Sequence, residues 1–277
     1  MFIEKGDSCP VGVFDSGIGG LSVLHEIHAL LPHENLIYVG DSAHAPYGDR
    51  SADYVRKRSQ QIADFLLDQG VKTIVIACNT ATAEAASLLR ETLDVPVIGM
   101  EPAIKPAAQL SKSGIIGVLA TQRTINSERL LGLTERYASN KKVLAQACPG
   151  LVEQVESGDL GSDTTLKLLR KYIGPLLEKG ADALILGCTH YPFLLPAIRK
   201  ITGDKIDILE TGRPVALHLQ RILQQNLLLN LAYDEHPTNT KDEKARITFY
   251  NSSADKHHHH AMRTLWKNPQ QAIKLFQ

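Results

Sequence analysis

Two cysteines in this chain occupy matching positions. Thr73-Ile74-Val75-Ile76-Ala77-Cys78-Asn79-Thr80 carries an apolar run to a thiol and follows it with a small polar pair, and Ala183-Leu184-Ile185-Leu186-Gly187-Cys188-Thr189-His190 repeats the pattern. Runs of that kind read as buried parallel strands, so each thiol falls at a strand's carboxyl end, where open α/β sheets gather their chemistry. A thiol of ordinary pKa ~8.5 becomes a usable base or nucleophile when a helix N-terminus or a cation lowers it. A single cysteine so placed is most often inert core, but the same placement twice points to function. Cys9, in an N-terminal extension, and Cys148, ahead of Pro149, lack the setting and read as bland.

Two similar half-sites suit a reaction with two similar faces. Inverting a carbon α to a carboxylate is such a reaction: one base takes the proton, and an acid on the opposite face returns one. A thiolate and a thiol facing each other across the substrate would do this without a metal or organic cofactor. Other residues could assist. Asp15 ends a strand before Ser16-Gly17-Ile18-Gly19-Gly20, whose backbone amides suit an anion but whose spacing is not the dinucleotide fingerprint. His190, two residues after Cys188, could orient or protonate a reacting group near neutral pH. By composition Glu153, Glu156 and Asp159 form a solvated face, and the run His257 to His260 lies on a surface tail with no second ligand cluster, which argues against a metal site.

The elements that must hold these residues alternate strand and helix. Strands are predicted at Val11 to Phe14, Leu36 to Val39, Val95 to Met100, Ile115 to Ala120, Val143 to Ala147 and Ile206 to Leu209, besides the two cysteine runs. Helices are predicted from Leu21, over Ala52 to Gln69, Thr82 to Leu93, from the Thr121 to Thr124 loop to about Ala138, over Thr164 to Glu178, and from Pro214. Pro149 to Gly161 reads as a loop, Asp234 to Lys244 as another, Arg246 to Tyr250 as a late edge strand, and the remainder as a surface helix. The expected fold class is α/β, with two pseudo-symmetric α/β domains around mostly parallel central sheets and the site in the cleft between them. Residues 1–99 with 213–277 would form the first, discontinuous domain and 100–212 the second.

Composition narrows the partners. Thirty basic residues balance thirty acidic ones in 277, so the electrostatic footprint of a nucleic-acid or anionic-membrane binder is missing. No apolar run approaches the ~18 residues of a membrane span, no signal peptide is evident, and the four cysteines form no zinc or disulfide pattern. A cytoplasmic protein with reduced thiols and a small-molecule partner is expected.

Several ordered motifs together resemble the glutamate racemase family: Val13-Phe14-Asp15-Ser16-Gly17-Ile18-Gly19-Gly20, Asp41 with Pro46-Tyr47-Gly48, Ala77-Cys78-Asn79-Thr80-Ala81-Thr82, Pro149 with Leu151-Val152-Glu153, and Gly187-Cys188-Thr189-His190-Tyr191-Pro192. The resemblance spans roughly Val11 to Gln225. It implies cofactor-independent interconversion of L- and D-glutamate, supplying D-glutamate for peptidoglycan, in a cytoplasmic homodimer. By the same resemblance Cys78 and Cys188 are the paired acid/base thiols, Cys78 deprotonating D-glutamate and Cys188 L-glutamate. Asp15 assists beside Cys78, and Glu153 and His190 beside Cys188. Asp15, Ser16, Tyr47, Gly48, Asn79, Thr80, Thr189 and His190 match substrate-binding positions, with Thr121 and Thr124 adding to that grip. Competing readings are a racemase for aspartate, a cysteine hydrolase using Cys188 with His190, and a small-molecule sensor on the same scaffold. No family motif covers the segment beyond about residue 226.

Overall fold

A computed structural model describes residues 7–230 and 246–276. The predicted loop Asp234 to Lys244 and most of the N-terminal extension lie outside the described residues. The chain runs β1 (Val11–Asp15), α1 (Leu21–Leu30), β2 (Leu36–Gly40), α2 (Ala52–Asp68), β3 (Thr73–Ile76), α3 (Asn79–Thr92) and β4 (Val97–Ile98). It continues through α4 (Ile104–Leu110), β5 (Ile115–Ala120), α5 (Gln122–Ile125), α6 (Glu128–Ala138), β6 (Lys142–Ala147), α7 (Leu151–Glu156), α8 (Asp163–Glu178) and β7 (Ala183–Leu186). The last elements are α9 (Leu195–Thr202), β8 (Asp207–Leu209), α10 (Gly212–Gln225), β9 (Ile247–Asn251), α11 (Lys256–Trp266) and β10 (Ile273–Leu275).

These strands form two sheets in which every pairing is parallel: one ordered β10-β9-β2-β1-β3-β4, the other β6-β5-β7-β8. The order β2-β1-β3-β4 in the first repeats as β6-β5-β7-β8 in the second, so the sequence repeat around the two cysteines is a repeat of topology. In each sheet the winding direction reverses between the first strand and the cysteine strand, and ligands of open α/β sheets bind at the carboxyl ends beside such a reversal. Cys78 follows β3 and Cys188 follows β7.

Alternation along the strands builds three apolar layers. Val11 and Val13 of β1, Val75 of β3, Leu119 of β5 and Leu184 and Leu186 of β7 all join one buried cluster, with side chains from α1, α7, α8 and α10. The opposite faces of the same strands go elsewhere: Phe14, Ile74 and Ile76 pack on α2 and α3, while Ile116, Val118 and Ile185 pack toward α4 and α6. Each sheet therefore turns one face, with the helices that cover it, into the common cluster and keeps the other face for a separate layer of helices. The cysteine strands are fully buried, as their continuous apolar runs require.

Four expectations need correction. Arg246 to Tyr250 is not an edge strand, because Ile247–Asn251 lies between β2 and β10, and β10 takes the edge. The final segment is not only a surface helix: α11 buries Ala261, Met262 and Leu265, and Leu275 is followed by a buried Phe276. Pro149 to Gly161 is not all loop, since Gly150, at φ 89°, turns the chain into α7. The helix expected to run to Ala138 is broken by Ser127, whose hydroxyl caps α6 by accepting from Leu130 N.

Asp182, just ahead of β7, clasps the turn that leads into β5. It accepts from Ser111 Oγ at 2.6 Å, Lys112 N at 2.8 Å and Ser113 N at 2.7 Å. Burial pushes its carboxyl up, but these bonds outweigh it and bring the pKa down to about 2 from 3.8. A lowered folded-state pKa stabilises above the unfolded value and loses that contribution as pH falls through the folded one. Asp182→Ala should cost about 1–2 kcal/mol in urea melts at neutral pH. The gap from wild type should close as pH falls from 3.8 toward 2; a gap indifferent to pH would show that the charge is not what holds the turn.

Candidate active site

Cys78 is the N-cap of α3, its Sγ accepting from Ala81 N at 3.4 Å. The helix thus begins three residues earlier than its apolar period suggests, because Asn79, Thr80 and Ala81 enter the first turn. Ser16 Oγ lies 3.7 Å from the Cys78 sulfur. Burial, reinforced by the nearby Asp15 carboxylate, pushes the Cys78 thiol up to about 12, so in this closed arrangement it holds its proton.

Asp15 is wholly buried at the end of β1. It accepts from Ser16 Oγ at 2.8 Å and Gly17 N at 3.1 Å through one oxygen, and from Thr189 Oγ1 at 2.7 Å through the other. Burial raises its carboxyl above the ordinary value, against the opposing pull of His190, Thr189 and Ser16. The bond to Thr189 ties the loop after β1 to the loop carrying Cys188. Ser22 Oγ, donating to Thr189 O at 2.9 Å, makes the same tie a second time.

On the other side Cys188 Sγ lies 3.7 Å from His190 Nδ1, and His190 Nε2 meets Glu156 Oε1 at 2.6 Å. Burial pulls the imidazolium down, but the bonds to Cys188 and Glu156 outweigh it and hold its pKa well above the ordinary histidine value. Glu156 accepts further from Ile18 N at 2.7 Å and from Ser42 Oγ at 3.0 Å. The acid that meets His190 is therefore Glu156 and not Glu153, which was expected beside Cys188. The buried face of α7 is Leu151, Val152, Val155 and Glu156, which leaves Glu153 exposed on the opposite side. Glu156 was visible in the sequence only as part of a charge cluster, and nothing there gave the helix its phase.

The glycine-rich turn after β1 makes room for these groups. A methyl on Gly17 would overlap the Glu156 carboxylate, and one on Gly19 would overlap the His190 ring. Close approach of the second half's acid and imidazole, rather than a phosphate, accounts for the glycines.

The remaining predicted residues divide. Ser16, Tyr47, Gly48, Asn79, Thr80, Thr121, Thr189 and His190 line one cavity with Cys78 and Cys188, at the carboxyl ends of both sheets. Its free space is only about 10 Å³, the room of a single water. Thr124 sits behind that wall: Thr80 Oγ1 meets Thr121 Oγ1 at 2.9 Å and Thr124 Oγ1 at 3.1 Å, joining α3 to the loop after β5. Tyr47 lines the cavity with its ring, but its hydroxyl donates to Asp41 at 2.5 Å, and Arg58 holds Asp41 through two bonds of 2.7 and 3.0 Å. Asn79 is the contrast: both polar atoms of its side chain are buried and meet no partner among the described residues. Cys148 is buried outside this cavity, with its thiol pushed up to about 12 by burial, and Cys9 is exposed. Among the described residues no cluster of His, Cys, Asp and Glu has the makings of a metal site, and in the histidine run His258 and His259 bond Ser253 instead.

Comparison with known proteins agrees with this arrangement. A family model described as Asp/Glu/Hydantoin racemase matches residues 12–216. The glutamate racemase of Methylococcus capsulatus is 56% identical over 224 residues, covering 81% of this chain and 83% of its own. That of Pseudomonas aeruginosa PAO1 is 47% identical over 270 residues, covering 97% and 98%. The crystal structure of glutamate racemase from Francisella tularensis in complex with D-glutamate superposes with a TM-score of 0.82 at 31% identity over 98% of each chain. The chain belongs to the Asp/Glu/Hydantoin racemase family and is an amino-acid racemase, an isomerase akin to its glutamate racemases.

Proposed function

We propose that the protein interconverts L- and D-glutamate by a two-base mechanism in which Cys78 and Cys188 act from opposite faces of Cα. The observation that carries this reading is the single cavity lined by both sulfurs, each delivered by a different sheet and each with its own supporting group: Ser16 and Asp15 at Cys78, His190 and Glu156 at Cys188. In one direction the thiolate of one cysteine takes the α-proton and the thiol of the other delivers a proton to the opposite face; the reverse reaction exchanges the roles. The imidazolium of His190 supplies the charge partner for the sulfur beside it.

Glutamate as substrate is supported by the named relatives and by the Francisella tularensis complex with D-glutamate. Asn79 adds a local reason, because its unpartnered buried amide calls for a polar ligand and could grip a carboxylate or an ammonium. Ser16, Thr80, Thr121 and Thr189 would supply hydroxyls to the same ligand, and Gly48 and Tyr47 its wall. A cavity of about 10 Å³ does not admit glutamate, so the halves part for entry, breaking the hydroxyl contacts between Thr80 and Thr121 or Thr124. We assign residues 1–99 with 213–277 to one domain and 100–212 to the other, a division along which such a motion would run. D-Glutamate supply for peptidoglycan, in the cytoplasm and as a homodimer, is the corresponding cellular role; no helix among the described residues is long and apolar enough to cross a membrane.

Incubating the protein with either enantiomer in deuterium oxide should place deuterium at Cα mainly in the product enantiomer. Cys78→Ser and Cys188→Ser should each lower turnover by roughly 10²-fold or more. Full activity in either variant would exclude the two-base reading and, for Cys78→Ser, favour a nucleophilic Cys188. The two glutamates of α7 provide a sharper comparison: Glu156→Gln should cost on the order of 10²-fold in kcat, since it removes the charge partner of the imidazolium. Glu153→Gln should stay within about twofold of wild type, as expected for an exposed side chain. Equal losses from both would place Glu153 back at the site.

A further inference from the structure

The segment 246–276 falls outside the family match of residues 12–216, yet it sends a side chain toward the reacting centre. β9 pairs with β2 in parallel, with Gly40 opposite Asn251, so the carboxyl end of β9 lies beside the loop that begins at Asp41. Asn251 is fully buried there. Its Nδ2 donates to Ser42 Oγ at 3.0 Å, and Ser42 Oγ donates to Glu156 Oε2 at 3.0 Å. Glu156 continues to His190, and His190 to Cys188.

The proton direction in this chain is fixed at both ends. A carboxylate only accepts, so the Ser42 hydroxyl must donate to Glu156 and offer a lone pair to Asn251. At the far end Ser253 N donates to Asn251 Oδ1 at 2.7 Å, which forces the amide nitrogen, and not its oxygen, toward Ser42. The second hydrogen of that nitrogen points at Met262 Sδ, 3.9 Å away. Every link is buried, so water does not substitute for a missing one, and among the described residues the Glu156 oxygen that Ser42 serves has no other hydrogen-bond partner.

We infer that Ser42 and Asn251 are positioning residues for the Cys188 half of the reaction, acting through the Glu156 carboxylate on His190. This rests on the two-cysteine reading. Their contribution is one-sided: among the described residues no comparable chain leads from them to Cys78, whose partners are Ser16, the amide of Ala81 and the Asp15 carboxylate.

Primary deuterium isotope effects test this without relying on loss of activity alone. A racemisation equilibrium constant of one forces kcat/KM to be equal in both directions for every variant, so direction-specific damage shows in which proton abstraction limits the rate. In Ser42→Ala, kcat/KM should fall roughly tenfold, the worth of one hydrogen bond to a charged group. The isotope effect with α-deuterated substrate should rise for the enantiomer that Cys188 deprotonates and fall for the other. Asn251→Asp, which keeps the acceptor for Ser253 N but loses the donor to Ser42, should shift both effects the same way. Ser42→Thr, which keeps the hydroxyl, should restore the wild-type pattern. The double variant Ser42→Ala with Asn251→Asp should be no worse than the poorer single one. Symmetric losses with unchanged isotope effects, at wild-type melting temperature, would overturn the inference and assign both residues a structural role only. Running Cys78→Ser and Cys188→Ser in the same assay separates the two levels: opposite shifts from them uphold the two-cysteine reading even where Ser42→Ala fails, and no opposition between them removes that reading and this inference together.

Discussion

The Glu156 carboxylate is the contact on which this active site depends. One oxygen serves the imidazole of its own half and an amide of the glycine-rich turn from the other, and the second oxygen takes a hydroxyl from that other half. Removing a buried charge costs several kcal/mol unless its partners go with it, so the geometry around it is rigid. Three further choices follow. Glycine must stand at positions 17 and 19 to let the acid and the imidazole in, His190 must remain cationic to match the anion, and α7 must present its sixth residue inward.

Asp15 plays the reciprocal part from the first half, reaching across to Thr189 beside the other cysteine. The two halves are therefore alike in topology and unlike in electrostatics. An anion neighbours Cys78, whereas a cation with its counter-ion neighbours Cys188. The two-base reaction proposed above needs one acid and one base at a time, and thiols that are not equivalent before substrate arrives would suit it.

How much of this was legible in the sequence depended on the reach of each determinant. The cysteine strands could be read because burial on both faces leaves an uninterrupted apolar run, and the run ends where the polar site begins. Asp15 followed from its place at such an end, whereas Asn79 and Thr189 came only with the family resemblance. Glu156 did not, because a helix of six residues is too short for a period to establish its inward face, which packing against the first half decides. The Tyr47 hydroxyl was equally unreadable as spoken for by Asp41, since Arg58, which holds that acid, lies eleven residues further on a different element. β10 escaped because three residues carry almost no pattern; it forms by adding in parallel to β9 after the α11 crossover. The same distance hid Asn251, whose partner Ser42 lies 209 positions away in sequence.

The apolar layer common to both sheets has a thermodynamic consequence. Each half brings a strand face and the helices that cover it into that layer: α1, α10 and α11 from one side, α7, α8 and α9 from the other. Cutting the chain into its repeats would open the apolar seam between those two sets to water, at about 25 cal/mol for each Å² exposed. The repeats are thus units of topology that share one core, and each leans for part of its stability on side chains the other supplies.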